Sequence, residues 1–347
     1  MDWLKARTAR RLTRRGLLRS GAVLAASGTF AGSLVAVPRP DRASAAGLTK
    51  ATLRLNWSPN AEHAPYYLGK KKGFYADQGV DLSILPGSGS AVAVKLVGTG
   101  DSMFGVAVAD SVTVGRAQKI PVVSLGVLLQ RSPTVLGSLK SRNITKPADL
   151  YGKKVGDDPA STVFAFWKAF EKVNHLDPNR INEVTLHGSI IAPLIAGTVD
   201  AGGVLLTNEV VVIEHNGYPL NIINYYDYGV RSYGQTLFTS DAILQSNRDL
   251  AKRMALATFK SWTYTLAHVD EAIDALAEAI PETKKDLETA KWINIRRLTG
   301  SPDARASGFG HQTAAGWTET YETFRIGGLI PNDFDPKTLF TDLAFEK

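Results

Sequence analysis

The chain of 347 residues contains no cysteine, which rules out disulfides, a thiolate nucleophile, zinc fingers and iron–sulfur ligation. Paired histidines are missing as well. His63, His175, His187, His215, His268 and His311 include no H-x-H or H-x-x-x-H spacing that would set two imidazoles on one metal, so no metal is expected. There is no G-x-S-x-G elbow and no phosphate loop ending in Gly-Lys-Ser/Thr. Gly87-Ser88-Gly89 lacks the third glycine of a dinucleotide fingerprint because Val92 stands there, and Gly98-Thr99-Gly100 fails in the same way. No cofactor is called for.

The body of the protein also lacks net charge. Nine Lys and Arg against two Asp within residues 1–45 carry the whole formal charge of +7, leaving thirty-one bases and thirty-one acids in the remainder. A basic groove for nucleic acid is therefore neither needed nor supplied. Adjacent arginines in Thr13-Arg14-Arg15-Gly16-Leu17-Leu18-Arg19 precede an uncharged stretch from Ser20 to Pro38 that is rich in Gly, Ala and Ser. This is the order of an export signal, too mildly hydrophobic for a good membrane span. Ala43-Ser44-Ala45 supplies small residues for signal peptidase. The expectation is a twin-arginine signal over residues 1–45, cleaved near Ala45, and a mature chain in the periplasm. With no cysteine after the cleavage site, the chain is not expected to be a lipoprotein.

At 44% hydrophobic and 21% charged, the remainder suits a folded chain of two medium cores. Strands are expected over Ala51–Trp57, Val80–Leu85, Met103–Val108 and Pro121–Leu129, with helices after Pro59-Asn60, after Ser90 and near Asp110. A second lobe beginning near Gly137 repeats this grammar, with strands at Lys153–Gly156, Asp200–Leu205 and Pro219–Asn224. Its helices run over Ala160–Val173 and Asn208–His215. The remainder from about Ser240 reads as helical. The alternation predicts an α/β chain built on parallel crossovers. Polar loops at the C-terminal edges of such strands are where open α/β sheets bind small molecules, so the residues point to a binding protein with a cleft between lobes.

The segment Leu55-Asn56-Trp57-Ser58-Pro59-Asn60-Ala61-Glu62-His63-Ala64-Pro65-Tyr66-Tyr67, followed by Lys72-Gly73-Phe74-Tyr75 and Gly79-Val80-Asp81-Leu82, resembles the opening of the thiamine-pyrimidine-precursor binding family. Asp149-Leu150-Tyr151-Gly152, Val199-Asp200-Ala201, Asn208-Glu209 and Asp227-Tyr228-Gly229-Val230 follow in that family's order. The resemblance implies a type II periplasmic-binding-protein fold, two Rossmann-like lobes with a ligand cleft between them. Lobe 1 would comprise 46–136 and 229–347, and lobe 2 residues 137–228. It further implies the substrate-binding subunit of an ABC importer, a monomer that delivers a small heteroaromatic compound to a permease in the inner membrane. A thiamine pyrimidine precursor is the leading ligand. Similar proteins bind riboflavin, sulfonates or nitrate, and an exported enzyme or a sensory subunit on the same scaffold remain alternatives.

By motif, Asn56 and Trp57 come from the first lobe and Glu209 from the second. An indole face stacks on a flat ring for roughly 1–3 kcal/mol, and a carboxylate accepts hydrogen bonds from an aminopyrimidine edge. Each residue also has a plainer role. Trp57 can fill core, although Asn56 and Pro59-Asn60 beside it favour a ligand wall; Glu209 suits a helix N-terminus on dipole grounds alone; His63 can be a packed or capping histidine. Ser88 and Ser90 flank a glycine ahead of a helix, and Asp110, Ser111, Ser161 and Thr162 stand at helix starts where capping serves equally well. Asn60, Tyr67, Asn208 and Tyr228 complete the candidate set from the matching segments. Asp157-Asp158 before Pro159 reads as a turn and cap rather than a metal pair. The fungal pyrimidine synthases of this family need a cysteine-rich segment and a sacrificial histidine. His63 matches the latter in position, but without cysteine, and with export away from cytoplasmic pyridoxal phosphate, no enzyme is expected. Ala64-Pro65-Tyr66-Tyr67 departs from the glycine-containing version of many bacterial pyrimidine binders, which leaves the pocket shape open.

Overall fold

Strand β1 (Thr49–Arg54) alternates buried and half-exposed positions, and β2 (Val80–Leu85) pairs with it in parallel from Thr49 opposite Val80 to Arg54 opposite Leu85. Between them α1 (Ala64–Lys71) begins at a proline-containing first turn and makes the crossover. The computed structural model describes residues 47–159, 161–300, 307–330 and 334–346, without the side chain of Thr162. The expected export signal and its cleavage site at residues 1–45 lie outside the described residues.

The same logic of strand, helix and return continues through α2 (Ser90–Gly98), β3 (Phe104–Val108), α3 (Ala109–Ala117) and β4 (Val122–Val127). The chain then leaves this sheet for a second one. There β5 (Thr134–Leu139), β6 (Lys154–Asp157), α4 (Thr162–Val173), β7 (Asn182–Thr185), α5 (Ile191–Ala196), β8 (Ala201–Leu205), α6 (Glu209–His215) and β9 (Leu220–Ile223) follow in order. It returns as β10 (Gln235–Ser240), followed by α7 (Asp241–Ser246), α8 (Arg248–Ala267), α9 (Val269–Ala279), α10 (Lys285–Thr299) and α11 (Ala314–Ile326). The first sheet has the order β2-β1-β3-β10-β4 and the second β7-β6-β8-β5-β9.

One sequence expectation needs correction here. The crossovers are not all parallel: β10 runs antiparallel to β3 and β4, and β5 antiparallel to β8 and β9. Each of these is the strand by which the chain enters a sheet from the other one. A strand that arrives at the edge where its neighbours finish must run against them. The two crossing segments lie side by side, with Leu128 N donating to Gln235 O at 2.8 Å, Gly234 N to Leu129 O at 2.8 Å and Ser132 N to Ser232 O at 2.9 Å. Gly234 permits this approach, since a Cβ there would stand 2.6 Å from the Arg131 carbonyl oxygen.

Both sheets are covered on two faces. Tyr66, Trp262 and Trp292 from α1, α8 and α10 pack on one side of the first sheet, and Val94, Val97 and Val112 from α2 and α3 on the other. In the second sheet α4 buries Phe166, Trp167 and Phe170 at helical spacing against Tyr225, each such burial contributing about 1.5–3 kcal/mol. Leu194 and Ile213 of α5 and α6 cover its opposite face. Among the described residues no helix is long and apolar enough to cross a membrane.

Candidate functional site

The site is built where β1 ends. Beyond Arg54 the chain turns through Asn56–Asn60, and Asn60 Oδ1 accepts from Glu62 N at 2.9 Å to start the short turn Ala61–His63. Asn60 N donates to His63 Nδ1 at 3.2 Å. With Nδ1 accepting, the ring proton of a neutral imidazole sits on Nε2, which donates to Asn56 Oδ1 at 2.8 Å. His63 is 0% exposed, and burial, assisted by the Lys291 ammonium, pushes its pKa down to about 3. The imidazole is thus neutral, and its role is to fix the Asn56 amide.

The loop before α2 clasps the same turn from the other side. Gly87 N donates to Trp57 O at 3.1 Å and Gly89 N to Asn56 O at 2.7 Å. Gly87 is obligatory, because a Cβ would lie 1.9 Å from the Leu55 carbonyl oxygen. With its main chain held at both ends, Trp57 leaves its indole 55% exposed.

Facing it is a cavity of about 380 Å³ lined by Trp57 from the first sheet and, from the second, by Asp157, Ser161, Val163, Gly203 and Glu209 among others. That volume lies at the small end of the range for ligand pockets. Ser161 caps α4, accepting from Val163 N at 3.1 Å. Glu209 opens α6 and folds back, Oε2 accepting from Leu205 N at 3.0 Å and Oε1 from Asn208 Nδ2 at 3.1 Å. Ser161 therefore has the capping role that its position allowed, Glu209 stands in the first turn of α6 without capping it, and both line the cavity.

Of the other candidates, Ser88 is exposed on the clasping loop, and Ser90 Oγ accepts from Val108 N at 3.3 Å. Asp110 and Ser111 are buried in the first turn of α3, joined at 2.9 Å from Ser111 Oγ to Asp110 Oδ1. They lie at the same edge of the first sheet as Asn56, and neither they nor Asn56, Asn60 and His63 line the cavity. Tyr67 packs against the core beneath that sheet, and burial raises its phenol pKa. Tyr228 requires a correction. Its ring packs edge-on against Phe170 at 5.8 Å and its carbonyl accepts from Asn174 Nδ2 at 3.2 Å, so it supports α4 away from the cavity. Thr162 begins α4, with its side chain outside the description.

Sequence reasoning missed two features. Asp157 does make the expected turn, Oδ1 accepting from Asp158 N at 2.8 Å, but it also lines the cavity, and its buried Oδ2 has no hydrogen-bond partner. Burial pushes its pKa up to about 7. The second is a buried polar brace behind the Asn56 turn. Ala61 N donates to Glu288 Oε2 at 2.6 Å, Lys291 Nζ to Glu288 Oε1 at 2.7 Å, and Gln235 Nε2 to Glu62 Oε2 at 3.1 Å. Burial raises the Glu62 carboxyl, with Lys291 opposing. Nothing in the local sequence announces partners more than 170 residues away.

A family model described as NMT1/THI5 like matches residues 60–272. The chain is 23% identical over 294 residues to the formylaminopyrimidine-binding protein of Halalkalibacterium halodurans, covering 84% of this chain and 88% of that one. It is 27% identical over 252 residues to the 4-amino-5-hydroxymethyl-2-methylpyrimidine phosphate synthase of Legionella pneumophila, covering 69% and 76%. Among solved structures, the periplasmic aliphatic sulphonate binding protein SsuA of Escherichia coli superposes with a TM-score of 0.64 at 15% identity, covering 83% of this chain and 91% of that one. The fold is accordingly the two-lobed α/β architecture of the periplasmic binding proteins.

Proposed function

Since the chain belongs to the NMT1/THI5-like family, we propose that it is the substrate-binding subunit of an ABC importer, exported to the periplasm, and that it captures a thiamine pyrimidine precursor between its two sheets. The observation that carries this reading is the cavity shared by an exposed indole from one sheet and carboxyl groups from the other. A flat ring laid on Trp57 gains roughly 1–3 kcal/mol of stacking. Asp157 and Glu209 then supply hydrogen-bond partners for amino and ring nitrogen groups. The paired crossings at 128–133 and 230–235 form the hinge about which the two lobes close; β5 already belongs to the second sheet from Thr134, a few residues before the expected boundary at 137, and α11 touches both cores through Trp317 and Phe324. A permease responds to ligand only through contacts that differ between open and closed forms.

Binding is favoured over turnover by the state of His63. Its ring is buried and both nitrogens are engaged, one by Asn60 and one by Asn56. A histidine held this way fixes the Asn56 amide in the turn that carries Trp57 and is not available as a reactant. The chain also has no cysteine.

Thermal-shift measurements with hydroxymethylpyrimidine, formylaminopyrimidine, thiamine, riboflavin, taurine and nitrate test the assignment. The pyrimidines are expected to raise the melting temperature. Stabilisation by taurine alone, with none by any ring compound, would overturn the pyrimidine reading.

A further inference from the structure

The floor of the cavity holds a carboxyl oxygen that the fold does not satisfy. Asp157 ends β6, and while Oδ1 is tied to Asp158 N, Oδ2 is buried without a hydrogen-bond partner. A buried acceptor without a partner carries its full desolvation cost, which native proteins tolerate mainly where a ligand or water will supply the bond. Gly203 on β8 lets Val163 pack over it beside this oxygen: a Cβ there would lie 2.1 Å from Val163 Cγ1 and 3.5 Å from Asp157 Oδ2. Trp57 lines the same cavity, so a ring stacked on the indole can turn its edge toward Asp157.

We propose, building on the ring-site reading above, that Asp157 selects a heterocycle with an amino group beside a basic ring nitrogen, pairing with that edge through two hydrogen bonds and one shared proton. The carboxylic acid offers an O–H donor and a carbonyl acceptor, matching the ring nitrogen and the amino N–H. Moving the proton from the carboxyl oxygen to the ring nitrogen gives a carboxylate and a ring cation joined by the same two bonds.

The surroundings favour a carboxyl that keeps its proton near neutrality. Burial is the main cause, and Asp158 in the same turn and Glu183 on β7 add to it. Lys168 on α4 opposes but is shared with Glu171 at 2.8 Å and with Glu183. Glu171 is itself raised to about 7, chiefly by burial, and the Tyr225 phenol after β9 is held neutral by burial beside both acids. Glu209 on α6 faces the same cavity, each carboxyl oxygen accepting one bond, from Leu205 N and Asn208 Nδ2. Among the described residues no cation is therefore left over to ionise Asp157, and the ligand must bring or share the proton.

The test is calorimetric binding of 4-amino-5-hydroxymethyl-2-methylpyrimidine and of the same ring with hydrogen in place of the amino group, to the wild type, Asp157→Ala and Asp157→Asn. The wild type is expected to prefer the amino ring by about 10- to 100-fold, and to weaken toward about tenfold per pH unit above pH 7 as the shared proton is lost. Asp157→Ala should reduce the preference to within about threefold. Asp157→Asn, which keeps one donor and one acceptor, should retain the preference but bind independently of pH from 6 to 8.5. Preference unchanged in Asp157→Ala, or an unaltered pH profile in Asp157→Asn, overturns the proposal alone. A wild type that binds neither ring overturns the ring-site reading together with it.

Discussion

Replacing His63 with glutamine tests whether the Asn56 turn is held by a neutral imidazole. Glutamine retains an acceptor for Asn60 N and a donor for Asn56 Oδ1, the two bonds seen at 3.2 and 2.8 Å. The folded-state pKa of His63 lies near 3 against 6.5 for the free side chain. On acidification the unfolded chain therefore takes up its proton first. Stability contributed by the neutral ring is complete above pH 6.5 and is lost as pH falls toward 3. Between pH 7.5 and 5 the loss works out at about 2 kcal/mol, or about 3 °C in melting temperature for a chain of this size. Asp157 and Glu171 act in the opposite sense. Their pKa values are raised to about 7, so the folded state gains protons before the unfolded one as pH falls through that value. The wild-type profile mixes the two trends, and the informative quantity is the difference between wild type and His63→Gln at each pH. Scanning calorimetry should find this difference moving in favour of the variant by about 3 °C from pH 7.5 to 5. A difference that stays constant across the range would refute a buried neutral His63.

Trp57→Ala should weaken pyrimidine binding by about 10- to 100-fold in calorimetry, while changing stability by no more than about 0.5 kcal/mol because the indole is mostly exposed. Unchanged affinity would return Trp57 to a purely structural role. Gly87→Ala forces Cβ into the Leu55 carbonyl oxygen, so it should cost about 1–3 kcal/mol in denaturant unfolding and loosen the Asn56–Trp57 clasp. A neutral substitution would show that the clasp is not under that constraint.

Much of the architecture is local enough to be legible in the sequence. Val80–Leu85 has the bounds that its alternation predicts, and α2 and α3 begin where small polar residues follow strand ends. The edge strand Asn182–Thr185 escapes because its positions are mostly exposed and carry no apolar alternation, and α5 because Pro193 interrupts a short apolar run. The antiparallel direction of β5 and β10 is not a local property at all. It follows from the order in which the chain visits the two sheets. The site divides along the same line. Trp57 and Glu209 are readable from the motif and Ser161 from helix-start chemistry, whereas Asn56, equally plain in the motif, holds the turn behind Trp57. The turn made by Asp157 is readable too, whereas the loss of water from its second oxygen depends on Val163 and Gly203 packing around it. His63 is recognisable as a capping histidine, but its neutrality comes from burial and from Lys291 on a distant helix.

On the function proposed above, a pyrimidine lies against Trp57 and reaches across to the second sheet. The most direct test is a crystal structure of the protein equilibrated with formylaminopyrimidine. Ring density should stack on the Trp57 indole with its amino edge within hydrogen-bond distance of a carboxyl from Asp157 or Glu209. Ligand density elsewhere on the molecule, or a cavity filled only by solvent at saturating ligand, would contradict this placement.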